Sequence, residues 1–388
     1  MSGNPQRLVV QCNLLISQPI SSEVTRRELA DEKGNLLGCA SPANRRGCMV
    51  HSHATRATGA LRATVFTGNG RAVAIYELQL TNFSDKAIDL RRIDVLDADE
   101  AGGKSLATFE GEQIDPLLQS PGPRQVNAGA TVVLFMQVAL DPEAQMPKTL
   151  RHRVSSPDSS IEGAVIGTHH STLKVLEPPV RGAEWQASDG PSNDRDNHHR
   201  RGLLVLEGRP TISRRFATDW FLKKDGHTYK GDLHDRHSHH SYDQPVFAVA
   251  EGKVVSTRDA RPDNVPGFYP DFTPPADLSL DTATGNLIVI DLGDGLFAHY
   301  YHLQPGSLRV KAGDKVASGQ QLARIGTSGD SNVPHLHFEV TTSAMQFIGE
   351  GVPYVIDNFR AKTPEGTWQT FTRELPMRNM MVDFGQGR

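Results

Sequence analysis

Histidine is the residue type in this chain best able to do chemistry. There are 16, five before position 190 and eleven after it. In Pro334-His335-Leu336-His337-Phe338-Glu339-Val340 polar and apolar residues alternate, so a strand's two-residue period puts His335 and His337 on one face and Leu336 and Phe338 on the other. Two imidazoles meeting at one point can hold a metal ion or move a proton. Ala298-His299-Tyr300-Tyr301-His302-Leu303 also reads as a strand, with His302 on the face of Tyr300 and opposite His299. A third, Arg215-Phe216-Ala217-Thr218-Asp219-Trp220, puts Asp219 on the face of Arg215. An H-x-H by itself is a weak signal, since paired outward histidines also occur on exposed strands.

The other histidines have plainer readings beside the chemical one. His227, His234, His237, His239 and His240 crowd the stretch 225–243 without regular spacing, which suits a solvated loop. His198-His199-Arg200-Arg201 reads as polar linker. His51 and His53 stand near Cys39 and Cys48, but that spacing matches no compact zinc pattern. His152 alternates with Leu150 and Val154, as a satisfied strand histidine would.

The elements that must position these residues are strands. The 388-residue length suits two cores. A formal charge of −4 gives no global reason to bind nucleic acid or an anionic membrane, and no apolar stretch is long enough for a spanning helix. Three cysteines, Cys12, Cys39 and Cys48, leave the main body without disulfides. Residues 1–70 read as a loose extension. Residues 71–180 show alternating runs with Gly, Pro and Asp between them, the pattern of an antiparallel β-sandwich. A polar linker over 181–202, a second β unit over 203–358 and a tail over 359–388 complete the expected organisation, all-β throughout. Gly293-Asp294-Gly295 marks a hairpin turn. The proline-rich 261–284 stretch is expected to form one wall of a groove and to narrow the substrate range.

In order along the chain, Gln244 to Val255, Gly285 to Ile290, Tyr301-His302-Leu303, Val310 to Gln320, Gly326-Thr327-Ser328-Gly329 and His335 to Val340 resemble the core of the M23 (LytM/lysostaphin-type) metallopeptidases. The resemblance covers about 215 to 341. It implies an antiparallel β core that holds one Zn2+ and cuts peptides of bacterial peptidoglycan. It also implies that His337 and Asp219 ligate the metal, while His302 and His335 flank the attacking water and the scissile carbonyl. The Val-x-x-Gly-x-x-Val-x-x-Gly-Gln stretch occurs in lipoyl and biotinyl carrier hairpins too, but that reading leaves the H-x-H strand without a purpose.

The family pattern H-x-x-x-D requires histidine where this chain has Arg215, and a guanidinium cannot ligate a cation. Three outcomes are open. The nitrogen comes from another histidine, either His198 or His199 or one of the 227–240 cluster; zinc is held weakly by Asp219 and His337; or the domain is catalytically degenerate and binds peptidoglycan or a partner hydrolase. A similar Arg-Phe-Ala-x-Asp-Trp strand after a His-Arg-Arg segment resembles a subset of M23-like proteins. The family implies an extracellular or periplasmic location, although residues 1–30 show no convincing signal segment.

Overall fold

The computed structural model describes residues 8–12 and 62–385, apart from positions 101, 121, 142–143, 170–171, 207–208 and 364. Apart from the strand Leu8–Cys12, the expected extension up to position 61 lies outside these residues, as do Cys39, Cys48, His51 and His53. Among the described residues every regular element is a strand or a short 3₁₀ turn, so the all-β expectation holds.

The N-terminal unit is built on a long antiparallel ladder between Arg71–Asn82 and Thr131–Leu140. Tyr76, Leu78 and Leu80 point into one core with Ile93, Leu134, Met136 and Val154. Val73 and Ile75, on the other face of the same strand, pack into the core of the second unit, where Phe66 meets Phe216 edge-on at 5.5 Å. The two units are thus joined through a strand buried on both sides. One pairing, Arg62–Gly68 with Ser160–His169, is parallel and departs from the expected antiparallel sandwich. His152 is the satisfied core residue its spacing suggests: Nδ1 donates to the Ala164 carbonyl at 2.8 Å, and Nε2 receives the Tyr76 hydroxyl at 2.8 Å.

The second unit centres on an antiparallel run of strands. Its spatial order is Met381–Asp383, Trp185–Ser188, Thr218–Leu222, Leu336–Thr341, Phe297–Leu303, Asn286–Asp291 and Gly252–Arg258. The stretch read as linker therefore supplies a strand beside the Asp219 strand. The stretch read as tail supplies Trp368–Glu374, half of Val355–Lys362 and Met381–Asp383, with Val382 and Phe384 in the core. Local pattern does not reveal this, because Trp185–Ser188 is only four residues long and its partners are about 35 and 195 residues away. Gly293, Asp294 and Gly295 all take left-handed backbone in the turn between Asn286–Asp291 and Phe297–Leu303, as the hairpin reading requires.

Alternation in Leu336–Thr341 has the expected outcome. Leu336, Phe338 and Val340 enter the core with Trp220 and Tyr300, and His335 and His337 face the other way. A slip of one residue would exchange these sets, at about 1.5–3 kcal/mol for each apolar side chain exposed, so the core fixes the histidines' register.

Candidate metal and catalytic site

Four strands bring one row of residues together. Ser188 lies opposite Asp219, Asp219 opposite His337, and His337 opposite Tyr301. His337 Nδ1 is 3.0 Å from Asp219 Oδ1, and the Tyr301 ring stacks on the His337 ring with centroids 5.1 Å apart. His335 Nε2 is 3.5 Å from the same Asp219 oxygen, and the His302 ring lies 4.9 Å from that of His335. All four residues expected at the site, Asp219, His302, His335 and His337, line one cleft of about 580 Å³. Phe268, Tyr269, Ala283 and Thr284 of the proline-rich loop line it as well, so that loop does contribute a wall.

His302 reaches the cleft by a route that strict alternation excludes. Its backbone is left-handed, with φ of 63°, and the ladder to the neighbouring strand shifts register between Asn286 and Ile288. Tyr300 consequently stays in the core, while His302 emerges on the side of Tyr301. The expectation that His302 shares a face with Tyr300 is corrected on this point. His299, opposite Glu339 in the ladder, sits beside the site: the Tyr301 hydroxyl lies 2.9 Å from His299 Nδ1 and 3.2 Å from Glu339 Oε1.

Arg215 is not on a strand with Asp219. It sits in the 3₁₀ turn Ser213–Phe216, before the strand Thr218–Leu222, so the two-residue period does not connect them. Its guanidinium is buried away from the cleft, with Nη2 2.9 Å from Glu77 Oε2 and Nη1 2.8 Å from Glu350 Oε2. The nitrogen near Asp219 comes from the 197–201 segment: the ligand atoms of His198, His199 and Asp219 lie within 4.8 Å of one another. His199 is buried, with Nδ1 donating to the Asp189 carbonyl at 3.0 Å and Nε2 3.4 Å from Asp219 Oδ1. His198 is about half exposed, and its Nδ1 is 2.7 Å from Asp189 Oδ2. Three of the loop histidines are engaged elsewhere: His234 bonds the Pro266 carbonyl, His239 bonds the Leu233 carbonyl, and His237 packs against Tyr242.

Electrostatics sort these groups. Burial, outweighing the attraction of Asp219, pushes His199 down to about 4, so it is neutral with its proton on Nδ1. Burial alone would raise Asp219, yet the imidazoles around it, among them His337 donating from Nδ1, hold it well below the usual carboxylate range. A bare imidazole lone pair thus faces an ionised carboxylate oxygen at 3.4 Å with no proton between them. His199 Nε2 and His337 Nε2 are both buried without a hydrogen-bond partner. Burial opposes the charge on His337, but Asp219 and Glu339 on either side prevail and raise it to about 9. Glu339, whose Oε2 is 3.6 Å from His337 Nε2, was missed in the sequence, although it lies two positions on and on the same strand face. Burial lowers His302 and His335, so both are neutral; their Nδ1 protons go to the Ser328 and Val333 carbonyls, each at 2.8 Å, leaving Nε2 as acceptors.

Residues 238–347 match the family model for peptidase family M23. The lipoprotein NlpD of Yersinia enterocolitica is 33% identical over 97 residues, a match covering 25% of this chain and 76% of that relative. The cell division protein DipM of Caulobacter vibrioides is 41% identical over 96 residues, and the peptidoglycan DD-endopeptidase ShyA of Vibrio cholerae is 31% identical over 96. Each of these matches covers 25% of this chain, but only 12% of DipM and 17% of ShyA. Among solved structures, the M23 metalloprotease pseudoalterin gives a TM-score of 0.27 at 16% identity, covering 55% of this chain and 96% of its own. The chain belongs to the M23 peptidase family. His302, His335 and His337 fall within the family segment, and His199 and Asp219 precede it.

Proposed function

We propose that this protein is a zinc-dependent metalloendopeptidase that hydrolyses peptide bonds in bacterial peptidoglycan. His199, Asp219 and His337 would hold the metal, and His302 and His335 would be the catalytic residues. One observation carries the reading: His199 Nε2, buried without a hydrogen-bond partner, lies 3.4 Å from Asp219 Oδ1, an arrangement that a shared cation resolves. Two imidazoles and one carboxylate are a donor set suited to zinc. When bound, Zn2+ supplies Lewis acidity towards a peptide carbonyl and lowers the pKa of water to about 7.

The chain's own groups do the rest. His302 and His335 present neutral Nε2 atoms to the cleft, fixed in tautomer by the Ser328 and Val333 carbonyls. Either can take a proton from the attacking water and, once protonated, pass it to the leaving amine. Glu339 sits behind His337 as the carboxylate of a carboxylate–histidine pair that orients a ligand. A degenerate binding domain was suggested by Arg215 standing at a ligand position. That side chain faces Glu77 and Glu350 instead, which favours the enzyme.

The peptidoglycan substrate is supported by the relative named as a peptidoglycan DD-endopeptidase, and it implies that the protein acts outside the cytoplasm. Metal analysis of purified protein tests the proposal. About one zinc per chain is expected, and none, even after slight excess is supplied, would overturn it.

A further inference from the structure

Glu77 stands on the strand Arg71–Asn82 of the N-terminal unit, outside the family segment, and is buried. Its carboxylate holds two arginines. Arg200 Nη1 bonds Glu77 Oε1, while Arg215 donates Nε to Oε1 at 3.2 Å and Nη2 to Oε2 at 2.9 Å. Arg200 directly follows His199 in the chain, and Arg215 is four residues before Asp219. One carboxylate therefore anchors both segments that carry the first two donors.

The anchoring is tight. Arg200 is fully buried, donates Nη2 to the Tyr76 and Met136 carbonyls at 2.9 and 3.2 Å, and lies 4.7 Å over the Phe135 ring. Its own N–H donates to Asn197 Oδ1 at 3.0 Å, closing the turn that presents His199. Two arginines and two glutamates, with Glu350 as the second, balance in charge inside the protein. Such a network is costly to assemble and costly to break at one partner. Its position between the two ligand segments gives it a use beyond stability.

Resting on the metal-site reading above, we infer that Glu77 and Arg200 are positioning residues: the N-terminal unit sets the spacing between His199 and Asp219 and so is part of the metal centre. Neither touches metal or substrate; they act through the backbone of the two ligand segments.

The test uses the full chain and zinc itself, with affinity read by competition against a chromophoric chelator. Glu77→Asp keeps the charge but withdraws the carboxylate by one methylene, and Arg200→Lys keeps the charge but loses the fork. Both should bind zinc about tenfold or more weakly than wild type, and cobalt loaded in place of zinc should show an altered visible spectrum. Ile93→Ala, in the core of the same unit and on a strand that carries none of the partners of Glu77 or Arg200, serves as the control for lost stability and should keep wild-type affinity and spectrum.

If folded Glu77→Asp and Arg200→Lys bind zinc within twofold of wild type with unchanged cobalt spectra, the inference is wrong. It is equally wrong if Ile93→Ala weakens zinc as much as they do. A wild-type protein that binds no zinc overturns the metal-site reading itself, a result distinct from either. Should Glu77→Asp not fold, Arg200→Lys alone decides.

Discussion

Arg215 donates to Glu77 across the boundary between the two β units, with Nη2 2.9 Å from Oε2, and so turns its charge away from the cleft that its place in the chain suggested it would enter. Arg215→His therefore adds no ligand. We expect no gain in zinc affinity, together with a loss of about 3–5 kcal/mol in stability, because buried Glu350 loses its counter-charge and Glu77 keeps only Arg200. Denaturant unfolding alongside zinc competition checks both parts. Tighter zinc binding would restore Arg215 to the ligand position.

The division of roles predicts two classes of variant. His302→Ala and His335→Ala should keep about one zinc per chain and lose hydrolysis by about 10²–10⁴-fold. His199→Ala and His337→Ala should lose both metal and activity. Metal content measured beside peptidoglycan digestion separates the classes, and equal metal loss in all four would refute the assignment.

Gly285 takes a left-handed backbone, φ 61°, and a Cβ there would stand 2.3 Å from the Ser328 carbonyl oxygen. That oxygen accepts the His302 Nδ1 proton. Gly285→Ala should displace the 326–329 loop and lower kcat with zinc retained, reproducing His302→Ala without touching a histidine. Normal turnover would show that the Ser328 carbonyl does not fix His302.

His152 gives the N-terminal unit a pH dependence. Burial, little offset by the Ala164 hydrogen bond, holds it down to about 4, against an ordinary 6.5 in the unfolded chain. Between these values the unfolded chain binds more protons, so the contribution is complete above pH 6.5 and is lost as pH falls towards 4, by about 3 kcal/mol. Protonated Nε2 also ceases to accept the Tyr76 hydroxyl. Urea unfolding from pH 7 to 4.5 should show a steeper loss in wild type than in His152→Gln. Parallel curves would mean that His152 titrates normally.

Phe268 and Tyr269 line the cleft yet remain well exposed. Replacing both with alanine should raise KM several-fold with little change in kcat, as the loss of binding surface away from the reacting atoms does. Steady-state kinetics on wall-derived peptides decides, and a fall in kcat alone would count against the wall role.

Much of the site could be read locally. Alternation put His335 and His337 on one face, and the order of motifs carried the M23 resemblance. What stayed hidden depended on distant partners. Trp185–Ser188 looks like linker until Met381–Asp383 and Thr218–Leu222 flank it. His199 looks like a linker residue until the Asp189 carbonyl fixes its ring and Glu77 seizes its neighbour. His302 was found by motif, but its face was misjudged because one left-handed residue resets a two-residue period. Glu339 was within reach, since the period that paired His335 with His337 also delivers it.

The strand next to the one bearing Asp219 receives its outer neighbour from residues 381–383. During synthesis the histidines and the aspartate emerge before that neighbour, so the sheet around them gains this strand only after the residues of the candidate site have all been made. The order of residues along the chain thereby sets an order of assembly: the groups of the candidate site are made first, and the strand that completes this flank of their sheet is added later.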